Sequence, residues 1–388
     1  MVKPIRILHV IGKMDRAGAE TMIMSLYRRI DRTKIQFDFM VHTKQKGDFD
    51  DEIESLGGHI FHIDKFNGFN FGSYYLAWRK FLKIHAEYHV IHGHIGSSAF
   101  IYLSAAKSLG RMTIVHSHSA FSENFNLHDH LISFLNYPNR HIATEILAAS
   151  KQAGIDRYGK KVVKQNNFHV LNNAIDTNKF LYSPKKRREI RNTLGISLDT
   201  LVIGNTGRLV EAKNQSRLIN IFNAVLNKFP SAHLLVLGEG SLRKSLEQQA
   251  IKLGIESQVH LVGVKDNVAD YLSAMDIFVF PSLHEGLGIS LIEAQCTGIP
   301  CIASDAVPIE AKVSQLLTFI SLKASDDEWV DTILENQKAY SAEHRSSQVE
   351  NIKKANYDIS QTLPQLSKMY LNLAGGSNGI SNINNTNL

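Results

Sequence analysis

Two carboxylates framing a pair of glycines give the clearest chemistry in the chain: Glu285-Gly286-Leu287-Gly288-Ile289-Ser290-Leu291-Ile292-Glu293. The segment follows an apolar run ending at Phe280, and a helix is expected from about Leu287. The unpaired N–H groups at such a helix start make an anion site suited to a phosphate, and Gly286 and Gly288 let a ligand approach the backbone. Glu293 is placed to accept hydrogen bonds from a hydroxyl pair such as a ribose, and Glu285 from the hydroxyls of a sugar carried on that phosphate.

A second segment, Gly207-Arg208-Leu209-Val210-Glu211-Ala212-Lys213-Asn214, follows the expected strand Leu201–Asn205. Two cations, Arg208 and Lys213, on one loop at the C-terminal edge of a strand would offset the charge of a leaving diphosphate. That is work a metal ion would otherwise do, and no metal or other cofactor is expected. Two His-x-His pairs close consecutive strands, His92-Gly93-His94 and His116-Ser117-His118.

The elements that must position these groups alternate between strands and helices, the pattern of parallel sheets built from βαβ units. Ile5–Ile11 reads as a first buried strand, Gly12–Ala17 as a loop, and the next residues as a helix with Met22, Ile23, Leu26 and Ile30 on one face. Further strands are expected at Phe37–His42, His59–Ile63, His89–His92, Met112–His116, Thr144–Ala149 and Phe168–Leu171. A second series runs through Thr200–Asn205, His233–Leu237, Gln258–Val262, Ile277–Phe280 and Pro300–Ala303, and only helices are expected past Ser321. The organisation expected is a first domain over 1–172 and a linker and entry over 173–199, around Pro184 and Lys185-Lys186-Arg187-Arg188. A second domain over 200–355, a C-terminal helix over 356–373 and a disordered tail over 374–388 follow.

At 388 residues the chain exceeds one ordinary core, and 44% apolar with 21% charged residues is the balance of a soluble globular protein. No apolar run is long enough to span a bilayer, and the first strand lacks the basic leader and cleavage site of a signal peptide. With only Cys296 and Cys301, a disulfide framework is excluded and a cytoplasmic, reducing compartment is expected. Residues 1–180 carry 23 Lys and Arg against 16 Asp and Glu, the remainder 20 against 21. The basic first half lacks stacking aromatics and nucleic-acid motifs, so an anionic membrane surface or acceptor is expected in preference to nucleic acid.

The Gly-Arg-Leu…Lys-Asn and Glu-Gly-Leu-Gly…Glu segments resemble the donor site of the retaining glycosyltransferases of family four, and within them the bacterial capsular and exopolysaccharide enzymes. The resemblance implies an α/β architecture of the GT-B type, two Rossmann-like doubly wound domains facing a central cleft, with C-terminal helices. It implies a nucleotide-sugar donor, UDP-linked, and a saccharide acceptor carried on a lipid at the inner face of the cell membrane. Val236-Leu237-Gly238-Glu239-Gly240 resembles the family's strand-and-glycine segment, and His260-Leu261-Val262-Gly263 with Val268 the segment whose backbone holds the nucleobase. The donor contacts implied are Gly18, Gly207, Gly238, Gly263, Val268, Gly286, Leu287, Gly288, Ile289 and Glu293. Gly18 stands in Arg16-Ala17-Gly18-Ala19-Glu20, where relatives carry two adjacent glycines and this chain has Ala17 for the first. Arg208, Lys213, Glu285 and His116 are implied as the catalytic groups, with His94 and His118 as further sugar or acceptor contacts. Retention without a covalent intermediate is implied, the departing phosphate oxygen helping to deprotonate the acceptor.

Other readings compete with this one. Asp48-Phe49-Asp50 matches an Asp-x-Asp metal motif, but charge placement at a helix start explains it more simply. The His-x-His pairs with His128-Asp129-His130 fit zinc ligands of a hydrolase, a reading that leaves the charged segments of the second half unused. An epimerase on the same fold would consume the donor with no acceptor present, and a binding subunit would have lost one of Arg208, Lys213, Glu285 or Glu293.

Overall fold

The computed structural model describes residues 3–118, 136–339 and 345–375. The chain divides into two compact units, one of residues 1–174 with 359–388 and one of 175–358. In the first unit seven strands form one sheet: β1 (Ile5–Ile11), β2 (Ile35–Val41), β3 (Ile60–His62), β4 (Tyr88–Gly93), β5 (Met112–Ser117), β6 (Glu145–Ala148) and β7 (Phe168–Val170). Their spatial order is β3-β2-β1-β4-β5-β6-β7, every pair parallel. Parallel neighbours need crossovers, which cover both faces. β2 is accordingly buried along its whole length.

The second unit repeats the plan with β8 (Val202–Thr206), β9 (His233–Leu237), β10 (Val259–Gly263), β11 (Ile277–Phe280), β12 (Cys301–Ser304) and β13 (Leu317–Ile320). The order is β10-β9-β8-β11-β12-β13, again all parallel. Each sheet therefore reverses direction once, between β1 and β4 and between β8 and β11. Such a reversal parts the loops at the strands' C-terminal ends and leaves a crevice for ligands.

The structure refines the expected organisation. Of residues 173–199, expected as linker and entry to the second domain, those after Ala174 belong to the second unit and contain the helix Pro184–Leu194. The basic run misleads because helical spacing turns Arg187 and Arg191 inward while Lys185 and Arg188 stay exposed. Arg191, fully buried, donates to the carbonyls of Ala274, Ser197, Leu198 and Thr200 and pairs with Asp276 at 2.6 Å. The C-terminal helix runs Ile359–Gly375 and packs Leu366, Tyr370 and Leu373 into the first unit's core with Ile7 and Phe37, so that unit is closed by the far end of the chain. β13, short and only partly buried, lies in a stretch that carries no clear strand alternation. The tail proposed for 374–388 falls, beyond Gly375, outside the described residues.

The buried Arg191–Asp276 pair yields a stability prediction. Arg191→Ala leaves Asp276 with one cation, Arg187 at 2.7 Å, and takes a charged donor from four carbonyls, of which those of Ala274 and Leu198 still accept from Arg187. The second unit should lose about 3 kcal/mol in urea unfolding, and a loss under about 1 kcal/mol would show that the pair is dispensable.

Candidate functional site

The charged groups of the second half come from the two loops on either side of the β8–β11 reversal. After β8 the chain makes the short turn Glu211–Lys213 and enters the helix Gln215–Leu226 through Asn214, which adopts a left-handed conformation at φ 53°. The Asn214 side chain donates to the Pro281 carbonyl at 3.0 Å, and Leu283 N–H donates to the Ala212 carbonyl at 2.9 Å. These bonds clamp the two loops together. Lys213 Nζ then lies 2.5 Å from Glu285 Oε1 and 5.0 Å from the centre of the Phe280 ring. The side chains are 20% and 8% exposed, so water screens this ion pair less than a surface pair. Arg208 points outward on the same loop, exposed and without an ion pair to any described residue.

Gly207, Gly238 and Gly263 form a ridge at the ends of β8, β9 and β10. Gly207 N–H donates to the Leu237 carbonyl and Gly238 N–H to that of Gly263, each at 2.9 Å. Gly238 has φ 137°, and a Cβ there would lie 2.0 Å from the Gly207 carbonyl oxygen, so only glycine permits the strands to close up. Val268 opens the helix Val268–Ala274 and packs, partly buried, against the core.

The glutamate segment starts its helix two residues later than the sequence suggested, at Ile289, because Gly288 takes a left-handed conformation at φ 80° as its N-cap. No side chain caps this end, which leaves its first N–H groups to a ligand or water. Leu287 and Ile289 turn their side chains to an apolar cluster with Ile175 and Ile292, so what they offer a ligand is backbone. Glu293, one turn into the helix and half-buried, has its carboxyl raised to about 8 by burial alone.

The other candidates lie in the first unit. Gly18 opens the helix Gly18–Arg29, and nothing lies within 4 Å of where its Cβ would stand. The His-x-His pairs converge at the ends of β4 and β5, and His9 of β1 joins them. His9 Nδ1 and His94 Nε2 share a hydrogen bond at 2.9 Å, as do His94 Nδ1 and His118 Nε2 at 2.8 Å. His92 Nδ1 meets the Tyr370 hydroxyl at 2.6 Å. His116 is 2% exposed, while His94 and His118 are half-buried, so the reachable end of the cluster is His94 and His118 rather than the histidine favoured from sequence. Burial holds all five rings below the usual imidazole range, hence neutral at pH 7. Sequence reading missed His9; its signal was a polar ring within a strand whose neighbouring residues are buried on both faces.

The Asp-x-Asp motif has local work. Asp48 accepts from the Arg16 N–H at 3.0 Å, Asp50 accepts from the Gly47 N–H at 2.8 Å, and both flank the start of the helix Asp50–Ser55. Among the described residues, the groups whose ligand atoms lie close enough to hold a metal are histidine triads, and Asp48 and Asp50 are not in them. His128-Asp129-His130 lies outside the described residues.

Two doubly wound parallel sheets, each reversing its strand order once, define the class: the architecture is that of the GT-B glycosyltransferases. A model described as glycosyl transferases group 1 matches residues 186–355, and one for glycosyltransferase family 4 matches residues 16–179. EpsF of Bacillus subtilis, whose name assigns it to the glycosyltransferases, is 31% identical over 371 residues, covering 94% of this chain and 96% of that one. The capsular polysaccharide biosynthesis glycosyltransferase CapH of Staphylococcus aureus is 24% identical, over 95% of this chain and 99% of that one. HepE of Anabaena, whose crystal structure holds UDP-glucose, superposes with a TM-score of 0.76 at 18% identity, over 95% of this chain and 99% of that one. This chain is a glycosyltransferase, and it belongs to glycosyltransferase family 4.

Glu293 gives this site a pH signature. Its folded carboxyl titrates near 8 and its unfolded one near 4.5, so folding retains a proton. The stability this supplies is complete below about pH 4.5 and is lost as pH rises through about 8. The stability difference between wild type and Glu293→Gln, followed by denaturant unfolding from pH 4 to pH 9, should therefore move against the wild type across that window. A difference independent of pH would place the carboxyl in an ordinary, solvated setting.

Proposed function

We propose that this glycosyltransferase is a retaining, metal-independent enzyme that moves a hexose or N-acetylhexosamine from a UDP-sugar to a lipid-linked saccharide in surface polysaccharide synthesis. The observation that carries the reading is the Lys213–Glu285 pair, held at 2.5 Å on clamped loops beside an uncapped helix start. A diphosphate seated there meets Lys213, Arg208 and the N–H groups at the start of the helix Ile289–Cys296, which together offset the charge that grows as the sugar's C1–O bond breaks. Glu285 accepts from hydroxyls of the transferred sugar and Glu293 from the ribose, while the backbone near Gly263 and Val268 holds the base.

In a retaining transfer of this kind the acceptor oxygen bonds to C1 on the face the diphosphate leaves, and the acceptor's proton passes to a departing phosphate oxygen. No step in that sequence calls for a metal. The first unit is assigned the acceptor, with His94, His116 and His118 as polar contacts and Gly18 as a point of close backbone approach. The UDP assignment is supported by HepE, solved with UDP-glucose, and the polysaccharide setting by the capsular enzyme CapH. No helix among the described residues is long and apolar enough to cross a membrane. The basic first half supports peripheral contact between this otherwise cytoplasmic enzyme and an anionic inner leaflet.

Calorimetric titration with UDP tests the reading. UDP should bind equally well with and without excess chelator, and Lys213→Ala should weaken it by about tenfold to a hundredfold, the worth of a charge-assisted contact. Lys213→Ala and Glu285→Ala should each remove most transfer while the protein stays folded. Near-wild-type turnover in either variant would overturn the site, and consumption of the UDP-sugar without acceptor would favour an epimerase.

A further inference from the structure

Five imidazoles from three adjacent strands meet at one edge of the first unit's sheet, more than sugar or acceptor contacts account for. His116 is the anomaly among them: it is 2% exposed, and neither of its ring nitrogens has a hydrogen-bond partner among the described residues. Leaving such a polar group unsatisfied costs on the order of 1–3 kcal/mol. His94 Nδ1 and His118 Nε2 lie 2.8 Å apart, and one ring nitrogen each from His94, His116 and His118 fall within 4.8 Å of one another. Three nitrogens bound at about 2.05 Å to a tetrahedral zinc ion stand about 3.3 Å apart, inside the 4.8 Å within which these three lie.

We propose that His94, His116 and His118 form a binding site for a divalent cation of the zinc class that sugar transfer does not require. Imidazole is the ligand such ions favour, and three of them leave a fourth position for water. His94 and His118 are half-buried and give the ion its way in, while His116 supplies the deep ligand. With His94 Nδ1 on the ion, His94 Nε2–H donates to His9 Nδ1 at 2.9 Å and the ring is oriented from behind by the kind of outer partner a metal-bound histidine usually has. Resting on the transfer reading, one consequence follows: the cation occupies histidines assigned to the acceptor, so Zn2+ inhibits transfer and chelator restores it.

The test uses the untagged full chain and Co2+ or Zn2+ alone, and it is read without activity. Co2+ should give the intense visible bands of a four-coordinate ion at one equivalent, Zn2+ should displace it, and Zn2+ should raise the thermal midpoint. Loss of an outer partner costs about 10–100-fold in metal affinity, so His118→Gln, which removes a ligand, should weaken binding by more than about a hundredfold. His94→Gln, checked for folding by circular dichroism, should do the same. Replacing His233 and His260, the paired histidines of the second unit, should leave binding intact. Absence of a Co2+ spectrum and of a calorimetric Zn2+ signal would overturn the site, as would undiminished binding in folded His118→Gln. Failed UDP binding alongside intact Co2+ spectra would instead defeat the donor reading and leave this one standing.

Discussion

The structure depends on one constraint: parallel strands can be joined only by crossovers, and each sheet changes the direction of those crossovers once. At that change the loops of two neighbouring strands part, and their ends face the same crevice. β8 and β11 are such neighbours, and their loops carry Lys213 and Glu285. β1 and β4 are the corresponding pair in the first unit, and their ends carry His9, His92 and His94. Charged and polar groups distant in sequence are thus delivered to one edge by the sheet order, and helix and loop chemistry refines what the order has placed.

The two units use that edge differently. In the second, the loops are tied by Asn214 to Pro281 and by Leu283 to Ala212, so the cation and carboxylate are held before any ligand arrives. The ion pair spares Lys213 and Glu285 the cost of standing unpartnered in a partly dry site. In the first unit the edge is lined by neutral imidazoles, of which His9, His94 and His118 are linked to one another by ring hydrogen bonds, His92 meets Tyr370, and His116 has no hydrogen-bond partner among the described residues.

The sequence by itself determined the architecture. Twelve β-rich runs alternating with amphipathic segments specify two parallel sheets, because side chains buried on both faces must be apolar throughout. Glycines flanked by Glu and Lys after strand ends are legible as candidate segments, because backbone approach and charge are local needs written in consecutive residues. Tertiary structure alone decided the rest. Strand order cannot be read from local pattern, so nothing in the sequence says that residues 72 positions apart, Lys213 and Glu285, make an ion pair. The same holds for His9 and His94, for Arg191, a buried anchor one turn past a basic run, and for a C-terminal helix that returns to complete the first core. In each case the partner lies on an element whose position is set by packing of the whole sheet, and that information is spread over the chain rather than carried by any segment of it.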